Sequence, residues 1–129
     1  MSAFSNYAEN LVLDWLLTGG SVTRPSAWYV ALHTGDPGEA GSANELNGNG
    51  YARQAVTFAA AVDGATENED QLTFGPNTDS NWGTVSHVSV WDAATGGNCL
   101  FKGALSSSVS INVGDSLVIG AGNLQITLD

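Results

Sequence analysis

Hydrophobic and polar residues follow two different periods along this chain. Near the N-terminus, Tyr7, Leu11 and Trp15 are spaced by four residues, and this helical period predicts an amphipathic α-helix over residues 4–18. A single amphipathic helix must bury its apolar stripe, and we expect that stripe to pack against the sheet that follows.

Short apolar runs separated by turn residues follow from Trp28 onward, and their spacing predicts β-strands. Residues 84–105 have the pattern of a hairpin whose turn is built on Gly96-Gly97-Asn98. The other expected strands lie at 28–34, buried on both faces, at 52–62 as one or two strands, at 71–74, and as three short strands within 108–129.

About seven or eight strands at this spacing predict a mainly β fold, an antiparallel β-sandwich or barrel with one N-terminal helix. No composition shift or linker divides the chain. We therefore expect one domain over residues 1–129, with the helix at 4–18 and the β-sandwich at 27–129.

The charge balance is strongly acidic, with 13 Asp and Glu residues against three Lys and Arg and a formal net charge of −10. Nucleic acids and anionic membranes are bound through clusters of basic side chains, which this sequence lacks. Both partners are therefore unexpected. Charged residues make up only 12% of the chain, so much of the surface is expected to be small and polar or covered by another subunit.

Cys99 is the single cysteine, so an intrachain disulfide is excluded. The N-terminus has neither the basic region of a signal peptide nor an apolar stretch long enough to span a membrane. We expect the protein to be synthesised and folded in a cytoplasm.

His33, Asp36 and His87 are the residues most suggestive of a metal or hydrolytic site. The two histidines lie far apart in the sequence and lack zinc-ligand spacing, so structural roles are favoured and no metal, cofactor or catalytic residue is predicted. His33 is expected to hydrogen-bond in the turn after its strand. Asp36 before Pro37 is expected to form an Asx-type turn.

Three further features leave alternatives open. Residues 63–70 hold four acids in eight positions, which indicates a solvated turn or, less favoured, a weak ion site without EF-hand spacing. Trp82 and Trp91 are core or interface residues, or candidates for stacking on a glycan. A glycan-cleaving enzyme would need paired carboxylates, for instance from Asp36, Glu39 or Asp92, and nothing in the sequence places them together.

Four segments carry a resemblance to a known family: "WYVALHTGDPGEAG", "GNGYARQAVTF", "WGTVSHVSVWDAATGGN" and "INVGDSLVIGAGNLQITLD". In this order they resemble the small tailed-bacteriophage virion proteins usually labelled phage tail fibre proteins, over nearly the whole chain. The resemblance implies a structural virion component without catalytic or ligand residues.

The resulting hypothesis is a non-enzymatic virion protein that assembles as a homo-oligomer, with a homotrimer expected. It would act as a capsid decoration (cement) protein bound to the major capsid protein, or as a small tail fibre or baseplate component. The alternative is an adhesin module that binds a host surface glycan. The loop at 35–50 is expected to project beyond the scaffold, so that deleting residues 39–49 would leave the monomer folded but weaken assembly or particle binding. The candidate partner contacts are Asp36, Glu39, Glu45, Asn47, Asn49, Glu67, Glu69 and Asp70.

Overall fold

The computed structural model describes residues 2–78 and 82–128, and within them the chain forms nine strands and one N-terminal helix. Helix α1 spans Asn6–Leu13 and continues into a π-helical turn, Asp14–Thr18. The strands are β1 (Ser2–Phe4), β2 (Tyr29–His33), β3 (Gln54–Ala55), β4 (Ala65–Glu67), β5 (Leu72–Phe74), β6 (Thr84–Trp91), β7 (Cys99–Ser110), β8 (Leu117–Ile119) and β9 (Gln125–Thr127).

The described strands form three antiparallel sheets. The main sheet has the order β1-β7-β6-β2-β3, and two smaller sheets pair β4 with β9 and β5 with β8. The predicted fold class, mainly β with antiparallel pairing and one N-terminal helix, is confirmed.

The predicted hairpin is confirmed by β6 and β7, which pair from Thr84↔Ser110 to Trp91↔Cys99. Its turn is held by Asp92, whose Oδ1 accepts the Asn98 backbone N–H at 2.7 Å and whose Oδ2 accepts the Asn98 side-chain amide at 3.0 Å. Asp92 therefore serves the turn that positions the two longest strands.

Strand β2 lies between β6 and β3, and its central position explains its apolar sequence. Val30 and Leu32 belong to the main core, whereas Ala31 packs on the opposite side against Trp91 and Cys99. The expectation of a strand buried on both faces is thus confirmed.

One hydrophobic cluster joins all three sheets. Phe74 of β5, Leu32 of β2 and Val85 of β6 have no exposed surface, and Ile126 of β9 belongs to the same cluster. Burial of these side chains against one another is the main stabilising contribution to the fold.

Two expected strand regions differ from the structure. Of residues 52–62, only Gln54–Ala55 form a strand, since the following alanine run has little intrinsic preference for β structure. At the start of 108–129, Val109 and Ser110 pair with β6 and therefore extend β7 rather than forming a separate strand.

The expectation that the apolar stripe of the helix packs on the sheet is wrong. Ser5 caps α1 by accepting the Ala8 N–H at 3.2 Å, and Ala8 is the only buried residue of α1. The chain is anchored before the helix, because β1 pairs with β7 and the Ser5 N–H donates to the Leu100 carbonyl at 3.0 Å. The helix consequently leaves the sheet edge with Trp15 64% exposed. No helix in the described part of the chain is long and apolar enough to cross a membrane.

Candidate functional site

A bidentate ion pair between Glu45 and Arg53 fixes the long loop that connects β2 to β3. Arg53 Nε lies 2.9 Å from Glu45 Oε2, and Arg53 Nη2 lies 2.9 Å from Glu45 Oε1. The side chains are only 7% exposed for Arg53 and 21% exposed for Glu45. Parallel charge-assisted hydrogen bonds with this burial define both position and orientation.

The Arg53 guanidinium also joins this loop to the β6–β7 hairpin. Its Nη1 donates to the carbonyls of Ala93 at 3.0 Å and Gly96 at 2.9 Å. The guanidinium stacks on Trp91, with its central carbon 4.0 Å from the ring centroid. One planar cation therefore holds the loop, the hairpin turn and an aromatic side chain together.

Tyr51 completes this cluster. Its hydroxyl donates to Glu45 Oε2 at 2.7 Å and accepts the Leu32 backbone N–H at 3.2 Å. Burial and the hydrogen bond to Glu45 raise the pKa of Tyr51. Burial alone would raise the pKa of Glu45, but the hydrogen bonds from Arg53 and Tyr51 outweigh it and keep that pKa below its ordinary value. Glu45 is therefore ionised at neutral pH.

His33 is fully buried and uses both ring nitrogens within the fold. Nδ1 lies 2.8 Å from the Ala43 carbonyl, which can only accept, so Nδ1 carries the proton of the neutral ring. Nε2 then accepts from the Ser89 hydroxyl at 2.7 Å, and Ser89 Oγ in turn accepts the Trp91 Nε1–H at 2.7 Å. The predicted structural role of His33 in the turn is confirmed.

The stability of the folded protein is expected to decrease as the pH falls below about 6.5. Burial lowers the pKa of His33 below 6.5, so in this range the unfolded chain binds a proton that the folded chain does not. The stabilisation is complete above the pKa of His33 in the unfolded chain. It is lost as the pH falls toward the lower pKa of His33 in the folded protein. Urea unfolding followed by tryptophan fluorescence at pH 7.5 and 5.5 measures this loss.

One variant serves as the control for this pH dependence. His33→Gln is expected to show a smaller decrease between the two pH values than the natural sequence. An unchanged decrease in His33→Gln would contradict the assignment to His33.

Of the carboxylates that the sequence raised as catalytic candidates, Asp36 and Glu39 share the partner Lys102, whereas Asp92 holds the hairpin turn. Asp36 Oδ1 accepts the Gly38 N–H at 2.8 Å, which confirms the predicted Asx-type turn. Lys102 Nζ lies 3.4 Å from both Asp36 and Glu39. The Gly38 hydrogen bond and the Lys102 charge lower the pKa of Asp36. Exposed pairs of this kind contribute little to stability.

Trp82 and Trp91, the candidates for glycan stacking, are buried, with exposures of 4% and 5%. Trp82 Nε1 donates to the Asn49 carbonyl at 3.0 Å, and Trp91 lies beneath Arg53. Neither ring presents a face to a sugar, so the glycan-stacking interpretation of these two residues is wrong. Both are core residues.

The expectation that the loop at 35–50 projects beyond the scaffold is also wrong. Pro37 is fully buried, and the Leu46 N–H donates to the Leu32 carbonyl at 3.0 Å. Together with the Glu45–Arg53 pair, these contacts lay the loop along β2. Deleting residues 39–49 would therefore remove part of the packed structure.

The candidate partner contacts differ in exposure, and their role in partner binding stays a prediction. Glu45 and Asn49 are half-buried and are engaged as described above. The exposed members of the set are Asp36, Glu39, Asn47, Glu67, Glu69 and Asp70.

The acidic segment 63–70 is organised around an asparagine. The Asn68 side chain donates to the carbonyls of Asp70 at 2.8 Å and Gly120 at 3.1 Å, and its Oδ1 accepts the Leu124 N–H at 2.9 Å. The segment is thus tied to the 120–124 turn and includes β4. Among the described residues, no three His, Cys, Asp or Glu side chains are grouped as a metal site would require.

Two features were not predicted from the sequence. The Glu45–Arg53–Trp91 cluster joins residues from different strands and loops, and its only local signal is that Arg53 is one of three cations in the chain. The second feature is the exposed apolar end of the helix, at Leu13, Trp15, Leu16 and Leu17.

These observations describe a β-rich structural protein whose most polar cluster holds its own loops in place. Residues 3–127 match the family model described as podophage GP4 fiber I protein gp80. The chain belongs to this phage fibre family, as the resemblance in its sequence implied. A comparison with curated proteins found no match.

Proposed function

We propose that this protein is a non-enzymatic structural subunit of a podophage tail fibre and that it assembles as a homotrimer. The observation that carries the proposal is the family match over residues 3–127, which includes the helix and every strand except the first residue of β1. The fibre description favours the tail over the capsid surface as the location.

The arrangement of polar side chains supports a structural role. Glu45, Tyr51 and Arg53 bind one another, and His33 is hydrogen-bonded on both sides. These contacts hold long loops in fixed positions on a β-scaffold. A rigid scaffold of this kind suits a protein that presents surfaces to neighbouring subunits.

The exposed apolar helix end supports assembly. Leu17 is 77% exposed and Leu16 is 61% exposed, on a chain with a net charge of −10. Contiguous exposed apolar side chains of this kind are typical of interaction sites. Contact with other copies or with a further fibre protein would cover them.

The location is tested by immunogold electron microscopy of the phage that encodes the chain, with antibodies raised against the purified protein. Labelling at the tail is expected, and particles in which the gene is interrupted by a stop codon are the control. Regular labelling of the shell would favour capsid decoration instead. Absence of label from intact particles that do contain other tail proteins would contradict the proposal.

A further inference from the structure

The first of two complementary surfaces on this chain is the helix end, which we define as residues 13–17. Its four apolar side chains, Leu13, Trp15, Leu16 and Leu17, are between 52% and 77% exposed. They flank Asp14 where α1 meets the π-helical turn, and Gly19, with a φ of 73°, caps the end of that turn. The helix end is therefore a short convex surface, apolar on several sides.

The second surface is a groove of about 370 Å³ between β4, β9 and the main sheet, which we call the apolar groove. The described residues that line it carry no charge, and its walls are formed by aromatic and aliphatic groups. They include Trp28, Phe58, Ala61, Ala65, Phe101 and Leu128. A groove lined in this way is suited to bulky apolar side chains.

Charged side chains lie beside both surfaces, and Asp14 is the one charge within the helix end itself. Of the three Lys and Arg side chains, Arg53 pairs with Glu45 and Lys102 lies between Asp36 and Glu39, whereas Arg24 is exposed and has no ion pair among the described residues. Arg24 follows the helix end in the connection to β2. The groove includes Gly64, Ala65 and Thr66, so its rim continues into the exposed acids Asp63 and Glu67.

Net charge restricts where two copies of this chain can meet. Because each copy carries a formal charge of −10, a contact that brings the acidic side chains of two copies together is unfavourable. Contact between the helix end and the apolar groove instead buries four apolar side chains and a single acid, Asp14, against an uncharged lining. Arg24, seven residues after the helix end, is the cation available to oppose the acidic rim of the next copy. A second copy therefore offers each surface an apolar counterpart.

We propose that the helix end of one copy inserts into the apolar groove of the next. This inference rests on the proposed homo-oligomer and names its interface. Because the two surfaces are different, the contact is heterologous, and repetition around a threefold axis closes it into a ring. In a closed trimer every helix end and every groove is occupied.

The test is the mass of purified variants in solution, measured by light scattering after size exclusion. Trp15→Ser/Leu16→Ser alters the helix end, and Ala61→Asp places a charge in the groove; all three side chains are exposed, so folding is expected to be retained. The natural sequence is expected to be trimeric and both variants monomeric. Mixing the two variants should give a dimer, since one intact helix end then meets one intact groove.

Matched controls use equivalent changes away from the interface. Val113→Ser/Val118→Ser removes two other exposed apolar side chains, and Ala60→Asp adds a charge one residue away from Ala61. Both controls are expected to stay trimeric. Circular dichroism on each variant separates loss of assembly from loss of folding.

Charge reversal tests the orientation of the contact. Arg24→Glu and Glu67→Lys are each expected to weaken assembly by up to about fivefold, as is usual for exposed charge pairs. The two changes combined in one chain should restore the affinity of the natural sequence. Additive weakening in the combined variant would contradict the pairing of Arg24 with the acidic rim.

Three results would overturn the inference. Loss of assembly in the helix-end variant but not in Ala61→Asp would indicate contact between helix ends, and trimers in both variants would place the interface elsewhere. A monomeric natural sequence would overturn both the inference and the homotrimer. Immunogold labelling of the tail tests the location independently of these outcomes.

Discussion

Replacing Arg53 with methionine is expected to destabilise the folded protein by about 3 kcal/mol, the lower end of the range for breaking a buried ion pair. The change leaves the charge of Glu45 without its partner and frees the Ala93 and Gly96 carbonyls. We place the effect at the lower end because the Glu45 side chain retains 21% exposure. Urea unfolding at a fixed protein concentration measures the loss, since assembly would otherwise add to the apparent stability.

Two further variants test the explanation for Arg53. In Arg53→Met/Glu45→Gln the unpaired charge is gone, so this double variant is expected to be more stable than Arg53→Met alone. Arg53→Lys keeps the charge but loses the bidentate geometry and the stacking on Trp91, and we expect an intermediate stability. A loss below about 1 kcal/mol in Arg53→Met, as for an exposed pair, would contradict the proposed role.

Replacing Gly41 with alanine is expected to have the second large effect, and Gly38 provides a matched control. The two glycines have nearly the same backbone conformation, with φ of 76° and 77°. A Cβ at Gly41 would lie 2.3 Å from Cys99 Sγ and 3.2 Å from the Trp91 ring, whereas a Cβ at Gly38 would meet nothing within 4 Å.

Gly38→Ala is therefore expected to cost about 1–2 kcal/mol, from the left-handed backbone alone. Gly41→Ala should lower the free energy of unfolding by a further ~1–3 kcal/mol, because the added methyl group overpacks against the hairpin. The comparison by urea unfolding isolates the close approach of the loop to β7. Equal losses in the two variants would show that the loop does not pack on Cys99 as described.

Much of the fold could be predicted because its signals are local. The hairpin pattern of residues 84–105 with its turn at Gly96-Gly97-Asn98 reflects contacts between near neighbours, and the apolar run of β2 reflects burial on both faces. The Asx-type turn at Asp36 is local as well, since Asp36 Oδ1 and the Gly38 N–H are two residues apart.

The position of the 35–50 loop could not be predicted, because it depends on contacts distant in sequence. The polar and glycine-rich composition of this loop indicates solvent exposure. Its actual position is set by Arg53, which contacts Gly96, and by the approach of Gly41 to Cys99. Such contacts leave no periodic pattern in the sequence.

For the helix, the sequence signal is clear, but the surface that covers its apolar stripe is not specified. The sequence correctly indicates its apolar stripe, but the inference that the stripe packs within the same chain is wrong. Ser5 and β1 attach the chain to β7, and Trp15 and Leu16 remain exposed. An apolar stripe predicts burial, but a single sequence does not say whether the burying surface belongs to the same chain or to another one.

The measurement that tests the central claim most directly is a cryo-electron microscopy reconstruction of the tail of the phage that encodes this chain. The account predicts density in the fibre that fits the described fold, with copies related by threefold symmetry. A tail in which all density is assigned to other proteins, with this fold located on the capsid shell, would contradict the claim.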